Sequence, residues 1–253
     1  MKKLVKILAL ALALTMAVMT LAACSKTEAK DAIVFGTNAE FPPFEYVTSN
    51  GLIGEYDGID IAIVDQIAKD LETEVKISNM EFDSLLIALA NGQIDAAISG
   101  MTITEERKET VNFSIPYYVA TQVMIVKKDS GITKAADMAD KNIAVIQGYT
   151  GEICVDEMGY EYTSFKKGTD AIMELVNGKC DVVVLDSATA VAYIAGNEDL
   201  MIVEDAEAFE AEEYGIAVAK ENTELLEKLN TSIQKMLDEG KIDEWNAKYA
   251  VAE

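Results

Sequence analysis

The sequence predicts an α/β protein built as two lobes of similar plan. Three observations point there. Short apolar runs alternate along the chain with segments whose apolar residues recur at helical spacing. The order strand, helix, strand, helix, strand occurs twice. Each time the second helix stops at Asn-Gly and the next strand opens with Asp, as Asn91-Gly92-Gln93-Ile94-Asp95 and as Asn177-Gly178-Lys179-Cys180-Asp181.

The elements come in this order. Residues 32–36 are a short apolar run ending in Gly, a strand. Over 58–71, Ile59, Ala62, Ile63, Ile67 and Leu71 fall on one helical face. A strand is expected at 75–77 and a helix at 82–91. A strand at 95–99 and a short helix at 104–111 come next, then a strand at 122–127. The second round reads as strand 143–146, helix 150–158, strand 162–165, helix 169–177, strand 182–185 and helix 187–195. Strands at 201–203 and 214–219 and helices at 222–238 and 241–249 close the chain.

Residues 1–24 read as an address rather than as fold. Lys2, Lys3 and Lys6 surround the start of an apolar run over 4–21, and Leu21-Ala22-Ala23-Cys24 comes after it. The charged start and the apolar run are those of a secretory signal. A membrane-spanning helix is the competing reading; the short run, the small residues before Cys24 and the polar segment 25–31 argue against it. The Leu-Ala-Ala-Cys ending resembles the lipobox of bacterial lipoproteins. That resemblance implies cleavage before Cys24, lipid on its sulfur, a signal peptide over 1–23 and a tether over 24–31. The expected location is extracytoplasmic and lipid-anchored to the bacterial cell membrane. Cys154 and Cys180 remain; outside the cytoplasm they either pair or stay as two free buried thiols.

Composition removes several classes of function. The chain of 253 residues has 44 Asp and Glu against 21 Lys and Arg, a formal net charge of −23. Such a surface repels a phosphate backbone, so no nucleic-acid partner is expected. There is no histidine, which removes Ser-His-Asp and Cys-His catalysis and His-ligated metal sites. Neither GxGxxG nor GxxxxGK(S/T) occurs, so the usual nucleotide cradles are missing. No metal, cofactor or catalytic residue is expected. Arg107 is the only arginine. It is either a plain surface charge or a planar fork kept for a carboxylate, and its surroundings must decide.

The loops at the carboxyl ends of the strands point to a receptor for a zwitterion. After 95–99 come Gly100-Met101-Thr102-Ile103-Thr104-Glu105-Glu106-Arg107. Gly100 permits close approach of backbone to a ligand. Thr104 is a good N-cap, which puts Arg107 on the first helical turn, able to reach back over the loop. After 143–146 comes Gln147-Gly148-Tyr149-Thr150-Gly151, opening a helix whose first amides, at Thr150 and Gly151, suit an anion. Asp186 stands at the carboxyl end of its strand. Arg107 with Thr150 and Gly151 would take an α-carboxylate; Asp186, Thr102 and the Gly100 carbonyl would take an α-ammonium. For Thr102 and Thr150, ordinary turn and cap chemistry is an equal reading; Asp186 could instead cap the next helix, though Ser187 could do that alone. In Phe41-Pro42-Pro43-Phe44, Phe41 is expected to form a flat wall for a ligand side chain, with Phe82 opposite, and Phe44 to pack in the core.

These residues resemble those of bacterial amino-acid-binding proteins of ABC importers, the polar amino-acid type. The similar stretches are residues 36–45 (Gly-Thr-Asn-Ala-Glu-Phe-Pro-Pro-Phe-Glu), 56–62 (Tyr-Asp-Gly-Ile-Asp-Ile-Ala), 95–107 (Asp-Ala-Ala-Ile-Ser-Gly-Met-Thr-Ile-Thr-Glu-Glu-Arg) and 181–186. The resemblance implies a periplasmic-binding-protein fold of type II, with two lobes joined by two hinge crossovers. Lobe 1 would hold 32–116 and 214–253, lobe 2 would hold 122–209, and the crossovers would be 117–121 and 210–214. It implies a monomer that hands an amino acid to a membrane permease with its ATPase. It supports the roles given to Phe41, Phe82, Gly100, Thr102, Arg107, Thr150 and Asp186, and places Ser99 beside them. Two positions depart from family patterns. Asn38 stands where basic-amino-acid and glutamine binders often carry Asp, and Ile146 where glutamine binders resemble each other in a Lys. Glu40 and Glu81 lie near the expected side-chain pocket and could meet a cation, and aromatic walls suit a guanidinium. The ligand expected is therefore arginine or lysine, with a neutral polar amino acid such as glutamine second. Two rivals are a dehydratase-like enzyme on the same fold, with a carboxylate such as Glu40 as general acid, and a ligand-sensing lipoprotein without a transporter.

Overall fold

The computed structural model describes residues 32–250; residues 1–31, with the signal, the tether and Cys24, lie outside the described residues. One sheet has the order β5-β1-β6-β14-β7, from Val75–Asn79 (β5), Ile33–Thr37 (β1), Ala96–Ala97 (β6), Ala217–Ala219 (β14) and Val111–Phe113 (β7). β1 runs parallel to β5 and β6, whereas β14 is antiparallel to β6 and β7. A second sheet has the order β10-β9-β11-β8-β12, from Tyr162–Phe165 (β10), Ile143–Ile146 (β9), Val182–Asp186 (β11), Tyr118–Lys127 (β8) and Leu200–Val203 (β12).

Both faces of each sheet are covered, which is why the strands read as continuous apolar runs. In β9 and β11, Ile143, Val145, Val182 and Val184 pack to one face, and Ala144, Ile146, Val183 and Leu185 to the other. Helix α1 (Ile59–Leu71) buries Ile59, Ala62, Ile63 and Ile67 against the first sheet, together with Leu229, Ile233 and Met236 of α7 (Thr223–Asp238). Helix α2 (Leu85–Ala90) covers the other face with Leu85, Ala88 and Leu89.

Strand β8 connects the two sheets. Its second half pairs with β11 and β12. Its first half pairs with Ala211–Tyr214 (β13), in the register Tyr118 with Tyr214 and Thr121 with Ala211. The segments expected as crossovers thus lie side by side as an antiparallel ribbon.

Several boundaries differ from expectation. The strand expected at 95–99 is a strand only at Ala96–Ala97; after the Ile98 amide bonds the Gly36 carbonyl, the chain turns into a loop that bridges Tyr214 at Thr102. The helix expected at 82–91 begins as a 3-10 turn over Phe82–Ser84. The stretch read as the strand 214–219 is broken at Gly215 and Ile216, between β13 and β14. Three short strands, Glu40–Phe41 (β2), Glu45–Val47 (β3) and Tyr56–Asp57 (β4), form a small sheet beside the first. Cys154 and Cys180 are unpaired. Burial pushes the thiols up, Cys154 to about 12 and Cys180 to about 11, so they stay protonated at neutral pH. Among the described residues, no helix is long and apolar enough to cross a membrane.

Candidate ligand-binding site

Two loops and two strand ends converge on one small cavity. It has a volume of about 10 Å³ and is lined by Phe41, Phe82, Ser99, Gly100, Thr102, Arg107, Tyr149, Thr150 and Asp186.

The first-sheet side is built from the loop after β6. Gly100 has φ +49°, and a Cβ there would lie 2.4 Å from the Phe41 ring, so only glycine fits against this wall. Its amide donates to Asp60 Oδ2 at 2.8 Å, while Ser99 Oγ donates to Glu45 Oε1 at 2.7 Å and accepts from the Asn38 amide at 3.0 Å. Helix α3 (Glu105–Thr110) comes next. Thr104 caps it by accepting from the Arg107 amide at 3.1 Å. That places the Arg107 side chain over the loop, where Nη1 donates to the Thr102 carbonyl at 2.7 Å and Nη2 to the Gly148 carbonyl at 2.8 Å. The guanidinium sits 5.3 Å from the centre of the Phe82 ring. Arg107 is 8 % exposed and lies within ion-pair distance of no carboxylate among the described residues. Burial lowers its pKa; the Asp186 charge is the largest influence opposing that shift.

The second-sheet side is built from β9 and β11. The turn Gln147-Gly148-Tyr149 leads into α4 (Thr150–Glu157). Its first amides have no acceptor inside the helix. Asp186 ends β11 and is 3 % exposed. Its carboxylate does not cap the following helix, α6 (Ser187–Ile194); Oδ1 accepts from the Tyr214 hydroxyl at 2.5 Å. Burial first, and the Glu212 charge second, raise its pKa to about 7.

The structure brings Phe41, Phe82, Ser99, Gly100, Thr102, Arg107, Thr150 and Asp186 to this cavity, and leaves four other expected residues outside its lining. Asn38 is one shell back, donating Nδ2 to the Met80 carbonyl and accepting from the Tyr149 hydroxyl. Gly151 is placed by packing: a Cβ would meet Gln122 Oε1 at 2.8 Å and the Val184 carbonyl at 2.9 Å. Ile146 packs in the core, because every residue of β9 is buried. Glu40 does meet a cation, but that cation is Lys167, with Nζ 2.6 Å away.

Sequence reasoning missed three side chains. Tyr149 stands against both aromatic walls, with ring centres 5.3 Å from Phe41 and 4.6 Å from Phe82, and its hydroxyl donates to Asn38 Oδ1 at 3.1 Å. Glu212 Oε2 accepts from Thr102 Oγ1 at 2.8 Å and Thr150 Oγ1 at 2.7 Å, so hydroxyls from both sides meet on one carboxylate. Tyr214 holds Asp186. Alternation along β13 puts Glu212 and Tyr214 on one face; that period was the available signal.

The sequence model of the bacterial extracellular solute-binding proteins, family 3, matches residues 33–252. The chain belongs to that family. It is a solute-binding protein rather than an enzyme, and its family places it outside the cytoplasm. It is 32 % identical over 231 residues to the arginine-binding extracellular protein ArtP of Bacillus subtilis (strain 168), spanning 88 % of each chain. Among solved structures it is similar to the arginine-, lysine-, histidine-binding protein ArtJ of Geobacillus stearothermophilus. That match has a TM-score of 0.80 and 35 % identity, over 86 % of this chain and 94 % of the other. An ancestral arginine-binding protein bound to glutamine matches with a TM-score of 0.78 and 40 % identity, over 86 % of this chain and 97 % of the other. The fold is the two-lobed α/β fold of type II periplasmic binding proteins.

Proposed function

We propose that this solute-binding protein captures an L-amino acid between its two sheets and delivers it to an ABC permease. The observation that carries the reading is a buried arginine without a carboxylate partner among the described residues, sharing one cavity with a buried aspartate. An α-carboxylate on Arg107 and the first amides of α4, and an α-ammonium on Asp186 and the Gly100 carbonyl, would satisfy both charges at once. Arginine or lysine is the first choice of ligand. The similar ArtP and ArtJ are named for binding arginine. A neutral polar amino acid is second, supported by the glutamine held by the ancestral relative.

In this reading residues 32–116 and 214–253 form one lobe and 122–209 the other. The paired crossovers act as the hinge. A ligand touching both lobes favours the closed state through its differential affinity. Lipid on Cys24 would keep the protein at the membrane, and Cys24→Ser is expected to release it into the medium.

A thermal-shift screen against the amino acids tests the function. A ligand that binds only the folded state raises Tm by mass action. One or a few amino acids, arginine or lysine first, are expected to raise it; no shift with any would contradict the reading.

A further inference from the structure

We infer that Glu45 and Asp60 share a single proton, and that this carboxyl–carboxylate pair positions the Ser99–Gly100 segment for contact with the ligand's amine. Glu45 on β3 and Asp60 on α1 are both fully buried. One oxygen of each is accounted for: Glu45 Oε1 accepts from Ser99 Oγ at 2.7 Å, and Asp60 Oδ2 accepts from the Gly100 amide at 2.8 Å and the Tyr117 hydroxyl at 3.0 Å. The other two oxygens, Glu45 Oε2 and Asp60 Oδ1, are buried and receive no donor from any other group. The two carboxyl groups hold consecutive residues, Ser99 and Gly100, and are near enough for each to act on the other.

Two ionised carboxylates offer four acceptors and no donor, so neither orphaned oxygen could be satisfied by the other group. One proton resolves both orphaned oxygens: the protonated group donates and the ionised one accepts, forming a strong charge-assisted bond. Glu45 is the better holder. Burial first, and the Asp60 charge second, push it well above the ordinary carboxylate range. Burial raises Asp60 as well, to about 6, but the Gly100 amide and the Tyr117 phenol oppose that shift and favour its ionised form. The other titratable groups acting on Glu45 or facing it are Asp186 and the phenols of Tyr117, Tyr149 and Tyr193. None of these supplies a cation, and no lysine or arginine pairs with either carboxyl among the described residues.

The pair therefore grips two consecutive residues of the cavity loop, Ser99 by its hydroxyl and Gly100 by its amide, and leaves one negative charge behind them. Glu45 and Asp60 are positioning residues that touch no ligand. Their role in capture rests on the proposed amine contact at Gly100; the proton sharing does not.

Amide isosteres test the sharing without ligand. Glu45→Gln can still accept from Ser99 and donate to Asp60, and Asp60→Asn can donate to an ionised Glu45. The double variant sets two amide donors against each other. Each single variant is expected to melt within about 3 °C of the wild type, and the double at least about 4 °C below the sum of the single shifts. A carboxyl with a raised folded pKa gives stability that is full below its unfolded value and is lost as pH rises through the folded one. Wild-type Tm should show that decline and Glu45→Gln should show a smaller one, with the share of Asp186 remaining. Infrared spectra of the ligand-free wild type, taken about two pH units above the Asp186 value of about 7 so that Asp186 is ionised, should carry a protonated-carboxyl band that Glu45→Gln removes, which decides the matter if the double variant does not fold. Additive shifts in a folded double variant, or a band unchanged in Glu45→Gln, would overturn the sharing. For the positioning role, Glu45→Ala should weaken amino-acid affinity at least about ten-fold, ~1.4 kcal/mol, with Gln at the same position restoring it. An unweakened Glu45→Ala would overturn that role alone.

Discussion

The two sides of the cavity hold their charges in opposite ways. Arg107, on the first-sheet side, is held by two neutral carbonyl oxygens, those of Thr102 and Gly148, and stays charged at every working pH. Asp186, on the second-sheet side, is held by the Tyr214 phenol and the Gln122 amide and is pushed by burial to a pKa of about 7. The difference is a consequence of chemistry. A guanidinium keeps its proton through burial, whereas a buried carboxylate near Glu212 is close to giving up its charge. On the proposed reading, the carboxylate end of a bound amino acid would meet a fixed cation, and the ammonium end would restore an anion.

Removing the fixed charge should have the largest effect. Arg107→Ala is expected to weaken amino-acid binding at least about 100-fold, the loss of one partner from a desolvated charge pair. Near-unchanged Tm would show that the fold persists; calorimetric titration reads the affinity.

The anion should matter next, and it should bring pH dependence. Asp186→Asn is expected to weaken binding about 30-fold through loss of a charge-assisted hydrogen bond. In the wild type a bound ammonium lowers the Asp186 pKa below its free value of about 7. Affinity should therefore be full above that value and fall as pH drops below it, by at most about ten-fold per pH unit. Asp186→Asn should abolish that slope, whereas Arg107→Lys should retain it.

A smaller effect is expected from the contact that crosses the cavity between aromatic walls. Tyr149→Phe keeps the ring against Phe41 and Phe82 but loses the hydroxyl bond to Asn38. It should lower unfolding free energy by about 1 kcal/mol, measured by denaturant titration. The smallest effect belongs to the partly exposed Glu40–Lys167 ion pair. Lys167→Met should cost less than about 1 kcal/mol and should leave the pH slope of binding intact.

The same contrast runs through what the sequence made legible. Local rules found Arg107: Thr104 as cap and a helix start fix its place within one turn. Asp186 was readable as the residue that ends a buried apolar run. Partners supplied by other elements were not. Glu212 reaches Thr102 and Thr150 only because β13 pairs with β8, a register the exposed stretch Ala211–Glu213 does not announce. Tyr149 comes after Gly148 in a helix-opening turn, where no periodicity says which way a ring will go. The helix expected at 104–111 ends at Thr110 because Val111 joins β7 beside β14, a tertiary pairing that overrides local pattern. Glu40 meets Lys167 from a segment more than a hundred residues away, a partner no local pattern names.

The central claim is that the cavity recognises a zwitterion by both charges. The most direct measurement is calorimetric titration with the amino acid that raises Tm most, beside its decarboxylated amine and its des-amino acid. Both analogues are expected to bind at least about 100-fold more weakly than the amino acid, the decarboxylated amine through loss of Arg107 and the des-amino acid through loss of Asp186. A decarboxylated amine that binds as tightly as the amino acid would contradict the account.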